Sequence, residues 1–85
     1  MRKHDFINIL SERTGITIDE ATSVNDIIEA HSLIGKNSKE AATFEIAEVL
    51  GVDYNRADEI SNTSYSIIGE AMLNKIKHPF GSDED

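Results

Sequence analysis

A helix-stop and helix-start motif occurs twice in this 85-residue sequence, with the copies 36 positions apart. In each copy a glycine, Gly15 or Gly51, supplies the left-handed backbone conformation that ends a helix. A capping residue follows two positions later, and the oxygen of Thr17 or Asp53 can accept a bond from the free N–H groups of the next helix. The repeat therefore predicts two helical hairpins in tandem, and with them an all-α four-helix bundle.

The first hairpin should span about residues 3–34, with Gly15 between its two helices. Thr17 and Glu20 form the capping-box pattern, so the second helix should begin near Ile18. Apolar residues at helical spacing define the predicted core of this hairpin. They are Phe6, Ile7, Ile9, Leu10, Ala21, Val24, Ile27, Ile28 and Ile34, with His31 on the same stripe and Gly35 as the stop.

The second hairpin should span about residues 38–78, and its first helix can be capped either by Asn37 with Glu40 or by Ser38 alone. Its predicted core positions are Ala42, Ile46, Ala47, Val49, Leu50, Ala57, Ile60, Ser64, Ile67, Ile68, Ala71 and Ile76, with Phe44 flanking the stripe.

The last helical segment runs from Tyr54 to about Lys77, but residues 61–64 have weak helix preference. The pattern therefore leaves open one long helix or two short ones. Pro79 marks the stop, residues 1–80 form a single predicted helical domain, and residues 81–85 form a predicted acidic, disordered tail.

Sixteen acidic residues against eight basic ones give a net charge of −8. This charge disfavours nonspecific affinity for nucleic-acid backbones and anionic membranes, although solubility alone can also explain it. Cysteine is absent, which excludes disulfides and thiolate sites. No segment has the length of a membrane span or the pattern of a secretory signal, so a cytoplasmic location is expected.

No pattern of catalytic or metal-binding residues accompanies the helices. The histidines, His4, His31 and His78, lack the spacing that presents two imidazoles to one metal ion, and His31 fits a half-buried structural position. No serine lies in a nucleophile-elbow pattern, and the acidic pairs fall on predicted exposed helix faces. We therefore expect no catalytic residue, metal or cofactor, and a protein that is not an enzyme.

One set of residues in the first hairpin follows the order and spacing of a known family. It comprises Lys3, Phe6-Ile7, Ser11-Glu12-Arg13-Thr14-Gly15-Ile16-Thr17 and Asp19-Glu20-Ala21. Residues 1–34 thereby resemble the N-terminal helical hairpin of the HU/IHF family of nucleoid DNA-binding proteins. The resemblance implies a dimer that self-associates through Phe6, Leu10, Val24 and Ile28. That family grips DNA with a β-sheet and basic arms, which residues 36–85 lack, so direct nucleic-acid binding is not expected to carry over.

The segment His78-Pro79-Phe80-Gly81-Ser82-Asp83 is similar to a segment of the colicin nuclease immunity proteins, which are acidic four-helix proteins of the same size. In that family the segment lies between the second and third helices, whereas here it follows the fourth predicted helix. The likeness implies that a small acidic bundle can act by covering a basic nucleic-acid enzyme.

From Glu40 to Glu70 the sequence contains seven acidic residues and one basic residue, Arg56. Such a surface attracts basic partners, although the acids can equally form a solvated face and the tyrosines can edge the core. The candidate contact residues for a protein partner are Glu45, Glu48, Tyr54, Asp58, Glu59 and Tyr65, with Glu40 and Glu70 extending the negative field. The sequence favours a small acidic, non-enzymatic regulator or inhibitor that docks on a basic, nucleic-acid-handling protein.

Two alternatives belong to other classes. The first is an HU-like dimerising nucleoid-associated or structural assembly protein, whose contacts with nucleic acid would come from basic residues near the helix ends. These are Arg2, Lys3, Lys36, Lys39, Lys75 and Lys77. The second is a structural subunit of a larger assembly, which predicts apolar surface left exposed in the single chain.

Overall fold

The computed structural model describes residues 2–32 and 38–77, apart from the side chains of residues 32 and 74–77. They form four α-helices: α1 (Lys3–Thr14), α2 (Ile18–Ser32), α3 (Ser38–Leu50) and α4 (Tyr54–Lys77). Each helix packs against its neighbours in the chain, and α4 packs back against α1, so the helices surround a shared core. The predicted all-α four-helix bundle is confirmed.

Both turns contain the left-handed glycine that the repeated motif predicts. Gly15 has a φ of 78° and Gly51 a φ of 68°. In the first turn the N–H of Gly15 donates to the carbonyl of Ser11 at 2.8 Å, and in the second the N–H of Val52 donates to the carbonyl of Ala47 at 3.1 Å. These bonds satisfy carbonyls that the ending helix leaves without intrahelical partners.

The capping residues act as predicted, but the two copies differ in one respect. In the first copy the N–H of Glu20 donates to Thr17 Oγ1 at 3.0 Å, and the N–H of Thr17 donates to Glu20 Oε1 at 2.9 Å. In the second copy the N–H of Arg56 donates to Asp53 Oδ1 at 2.8 Å. Arg56 holds the position of Glu20 but has no acceptor atom, so it cannot complete the box and its side chain bonds elsewhere.

The core draws apolar side chains from all four helices and from the first turn. Its buried members are Phe6, Ile7, Leu10, Ile16, Ala21, Val24, Ile27, Ile28, Ala42, Ile46, Ala57, Ile60 and Ile67, with Ile9, Ala47, Leu50, Val52, Tyr65 and Ile68 packed against them. Ala71 and His31 are partly exposed. The predicted core stripes of α1, α2 and α4 are thus present in the described residues.

One predicted core position in α3 is wrong. Val49 is 54% exposed, while Thr43 is buried beside Ala42 and Ile46. Successive residues of α3 are rotated by about 100° around the helix axis. Viewed down that axis, Val49 lies outside the arc of buried residues, on the side of Ala42 that faces away from Ile46. Thr43 lies inside the arc, on the opposite side of Ile46 from Ala42. The Thr43 hydroxyl donates to the carbonyl of Lys39 at 2.8 Å, which lets a polar side chain occupy the core.

The last helical segment is one long helix and not two short ones, because α4 is continuous over 24 residues. Ser61 and Ser64, two of its four weak helix formers, are fully buried. The hydroxyl of Ser64 donates to the carbonyl of Ile60 at 2.8 Å, within the helix itself. Packing of small buried side chains against neighbouring helices therefore outweighs their weak intrinsic preference.

Several sequence-based predictions lie outside the described residues. They concern the stop at Gly35, the cap at Asn37, the core positions Ile34 and Ile76, and the segment 78–85 with its predicted acidic tail.

Candidate protein-binding surface

Two aromatic side chains meet on the outside of the second hairpin. The ring centroids of Phe44, in α3, and Tyr54, at the start of α4, are 5.0 Å apart, and the rings are inclined by 51°. Tilted pairs at this separation are favourable because the ring quadrupoles attract. Both rings remain open to solvent, since Phe44 is 58% and Tyr54 42% exposed. The pair is thus an exposed apolar site held in place by two helices.

Carboxylates lie one turn away from both rings. Glu40 and Glu48 stand four residues before and after Phe44, and Asp58 stands four residues after Tyr54, so each shares a helix face with a ring. Glu40 and Glu48 are exposed, and within residues 2–32 and 38–77 neither forms an ion pair. We call these five residues, Phe44, Tyr54, Glu40, Glu48 and Asp58, the aromatic–acidic face.

The only base between Glu40 and Glu70 does not neutralise this face. Arg56 donates one guanidinium hydrogen bond to the backbone carbonyl of Thr14 in α1, and another to Glu59 Oε1 at 3.0 Å. Its charge is therefore directed towards the first hairpin and towards Glu59. As a result, Glu59, a predicted contact residue, is exposed but already paired with a cation.

Glu45, another predicted contact residue, links α3 to α2. Its Oε1 lies 2.6 Å from Nε2 of His31, whose side chain is only 16% exposed. The second ring nitrogen of His31, Nδ1, is buried, and no partner for it occurs within the described part of the chain. His31 occupies the half-buried position that the sequence predicts, and Glu45 is held by it at the edge of the surface.

The remaining predicted contact residues divide between the surface and the core. Asp58 is partly exposed, and Oδ2 accepts a hydrogen bond from Nδ2 of Asn62 at 3.3 Å. Tyr65 is half-buried and packs against the core, and its buried hydroxyl has no partner in the described residues. Of the two positions that the sequence allows for Tyr65, a partner contact or the edge of the core, the structure shows the edge of the core. Tyr65 is not part of the aromatic–acidic face.

Glu70, which the sequence assigns to the negative field, is paired with a base of the first hairpin. Arg13 donates two hydrogen bonds to its carboxylate, at 3.0 and 3.3 Å. These bonds, together with the attraction between the charges, lower the pKa of Glu70 and raise the pKa of Arg13. The negative field of the second hairpin is thus concentrated around α3 and the start of α4.

The four residues predicted to mediate self-association are interior in the single chain. Phe6, Leu10, Val24 and Ile28 all belong to the buried core. A dimer formed through them would require helices to exchange between two chains, because these side chains are already covered by their own chain. Self-association through this set stays a prediction.

Three basic residues of the nucleic-acid alternative have described side chains. Arg2 and Lys3 lie at the start of α1, Lys39 lies at the start of α3, and all three are exposed. Lys3 Nζ also lies 3.5 Å from Asp26 Oδ1, which partly neutralises its charge. Lys36 and the side chains of Lys75 and Lys77 lie outside the described residues.

The apolar pattern of α3 places Phe44 at the flank of the core stripe, and the predicted contact residues do not include it. A signal was present, because acidic residues occupy the positions four before and four after it, and that spacing marks the solvent-facing side of a helix. No sequence pattern indicates the contact between Phe44 and Tyr54, because that contact depends on the distance between α3 and α4.

The described residues contain neither a cluster of metal-binding side chains nor a membrane-spanning helix. No group of three or more histidine or acidic side chains there is arranged to hold a metal ion. None of the helices in residues 2–32 and 38–77 combines the length and apolar character that crossing a membrane requires. Comparison with known protein families, curated proteins and solved structures gives no match for this chain.

Proposed function

We propose that this protein is a small acidic regulator or inhibitor that binds a basic, nucleic-acid-handling protein through its second hairpin. The observation that carries the proposal is the aromatic–acidic face, in which the exposed rings of Phe44 and Tyr54 lie among carboxylates. Exposed apolar groups rimmed by polar ones are typical of protein-binding surfaces. Tyrosine in particular is enriched among the residues that dominate binding energy.

Charge defines the class of partner. The net charge is −8, and the one base between Glu40 and Glu70, Arg56, is engaged with Thr14 and Glu59. A negative face of this kind accelerates encounter with a positive surface and rejects acidic proteins. Proteins that handle nucleic acids carry such positive surfaces in order to bind phosphates. Occupation of that surface by the aromatic–acidic face would block access of the nucleic acid, and we place this activity in the cytoplasm.

The test is affinity capture from a cell extract, with the full chain as bait at low and at high salt. The disrupted bait carries Phe44→Ala and Glu48→Gln. A matched control bait carries Leu73→Ala and Glu12→Gln, which remove an equally exposed apolar side chain and an equal charge elsewhere. We expect the native and control baits to capture the same basic nucleic-acid-binding protein and the disrupted bait to lose it. Captured protein must also be released as salt rises. Capture that is insensitive to salt, or equal for all three baits, would refute the proposal.

The HU-like alternative is tested by two measurements. Sedimentation equilibrium at low and high salt reports self-association, and a gel shift with duplex DNA at low ionic strength reports nucleic-acid binding. Because Phe6, Leu10, Val24 and Ile28 are buried in one chain, we expect a monomer. A dimer at both salt concentrations together with a gel shift would favour the alternative over the proposal.

A further inference from the structure

We infer that the aromatic–acidic face recognises arginine in preference to lysine, so that the partner contacts it with an arginine-bearing segment. This inference rests on the proposed function, because it names the chemistry by which the basic partner is bound. It follows from the combination of paired rings and flanking carboxylates, each of which suits a guanidinium better than an ammonium.

The rings provide a surface on which a planar cation can lie. Phe44 and Tyr54 are both exposed, and their centroids are 5.0 Å apart. A cation within about 6 Å of a ring centroid is attracted by the ring quadrupole, so a cation above one ring also lies near the other. The guanidinium of arginine is flat and weakly hydrated, which lets it stack on a ring, whereas the ammonium of lysine is compact and strongly hydrated.

The carboxylates are placed to accept the N–H groups of the stacked cation. Glu40 and Glu48 each lie about 6 Å along the helix axis from Phe44, on either side of it. A guanidinium that stacks on a ring keeps its N–H groups in its own plane, where they can form bidentate bonds with a carboxylate. An ammonium can also contact a ring and a carboxylate, but it has no planar pair of donors for a bidentate bond.

The charge of this surface also decides between cationic and apolar occupants. Glu40 and Glu48 have no ion-pair partner in the described part of the chain, and Arg56 is bonded to Thr14 and Glu59. An apolar segment covering the rings would take these carboxylates out of water without compensation, which is costly. An arginine compensates them while covering the same rings, so it is the occupant that fits both parts of the surface.

The experiment compares two synthetic peptides with blocked ends, an oligo-arginine and an oligo-lysine of the same length and charge. Binding to the full-length protein is measured by fluorescence anisotropy at low salt. We expect the native protein to bind the oligo-arginine about fivefold to tenfold more tightly than the oligo-lysine. Phe44→Leu should weaken binding of the oligo-arginine more than binding of the oligo-lysine, because it keeps apolar bulk but removes one ring of the pair.

Two controls separate this inference from general electrostatics. Leu73→Ala removes a comparably exposed apolar side chain in another part of α4 and should leave both affinities unchanged. Glu48→Gln should weaken the oligo-arginine more than Glu12→Gln, which removes the same charge from the first hairpin. Because these side chains are exposed, circular dichroism should show that all four variants fold.

Equal affinity of the native protein for the two peptides would overturn the arginine preference. So would an arginine affinity that survives Phe44→Leu. In either case a basic partner would still be bound through general electrostatics, and the proposed function would stand. Absence of binding to both peptides at low salt would overturn the inference and the proposed function together.

Discussion

Arg56, in the first turn of α4, donates a guanidinium hydrogen bond to the backbone carbonyl of Thr14, the last residue of α1. Carbonyls at the end of a helix lack intrahelical partners and carry a partial negative charge, so a cation is well placed there. The bond joins the start of the second hairpin's last helix to the turn of the first hairpin. Arg56 occupies the position in the second copy of the turn motif that Glu20 occupies in the first. There Glu20 accepts a hydrogen bond from the N–H of Thr17 and so completes a local capping box.

Replacement of Arg56 by methionine should lower the free energy of unfolding by about 1 kcal/mol, because the Thr14 carbonyl loses its charged donor while the apolar stem is kept. For a domain of this size, that corresponds to a fall in Tm of about 4–8 °C. Urea unfolding measures the change. Glu59→Gln is the matched control, since it removes only the exposed ion pair and should cost little. Equal losses in both variants would show that the bond to Thr14 adds nothing.

Alanine at the two turn glycines should destabilise the protein, whereas alanine at Gly69 should stabilise it. None of the three glycines has an atom within 4 Å of the added Cβ, so steric overlap does not decide the outcome. Gly15 and Gly51 have φ values of 78° and 68°, and each alanine there should cost about 1 kcal/mol. Gly69 lies inside α4, where alanine should add about 0.5–1 kcal/mol to the free energy of unfolding. The same sign at all three sites in thermal unfolding would contradict this assignment.

Ser61→Ala should stabilise the protein by about 1 kcal/mol, while Ser64→Ala should be close to neutral. Both side chains are fully buried in α4, but only the Ser64 hydroxyl has an acceptor, the carbonyl of Ile60 at 2.8 Å. No partner for the Ser61 hydroxyl occurs among the described residues, so its removal relieves an unsatisfied polar group. Chemical denaturation of the two variants gives the comparison. A loss of stability in Ser61→Ala would mean that its hydroxyl is bonded.

The ion pair between Arg13 and Glu70 should make stability depend on pH in the acid range. The two hydrogen bonds and the positive charge of Arg13 lower the pKa of Glu70 in the folded protein. Because the folded pKa lies below the unfolded one, the pair stabilises the fold at pH values above the ordinary glutamate range. That contribution is lost as the pH falls through the lowered pKa.

The native protein should therefore be more stable than Glu70→Gln at neutral pH, and the difference should vanish in acid. Urea unfolding at several pH values and low salt measures this, and added salt should reduce the difference because both side chains are exposed. Glu48→Gln controls for loss of a charge without loss of an ion pair. A difference that persists in strong acid would assign the effect of Glu70→Gln to something other than its charge.

The turns were predictable from the sequence because their determinants are local. Gly15 and Gly51 stop helices through their own backbone conformation, and Thr17 caps a helix through an atom only three residues from its donor. The course of α4 through residues 61–64 was not predictable in this way, because local preference opposes the helix there and burial of Ser61 and Ser64 overrides it.

The candidate surface was predictable only in its charge. The count of acids from Glu40 to Glu70 indicated a negative hairpin, but not that Glu70 is paired with Arg13 or that Glu45 lies against His31. Those pairings depend on which helices become neighbours. The contact between Phe44 and Tyr54 depends in addition on the spacing of α3 and α4, which no periodicity in a single helix encodes.

The contacts between α1 and α4 have a consequence for how the chain folds. Each hairpin closes over a turn of three residues, whereas the bonds from Arg56 to Thr14 and from Arg13 to Glu70 join positions 42 and 57 residues apart. Short loops close quickly and at low entropic cost, so each hairpin can collapse before the two dock. Contacts that form after the rate-limiting step influence unfolding rates far more than folding rates. The contacts between the two hairpins, which include those between α1 and α4, should therefore set how long the native protein persists, while the two turns set how quickly it is reached.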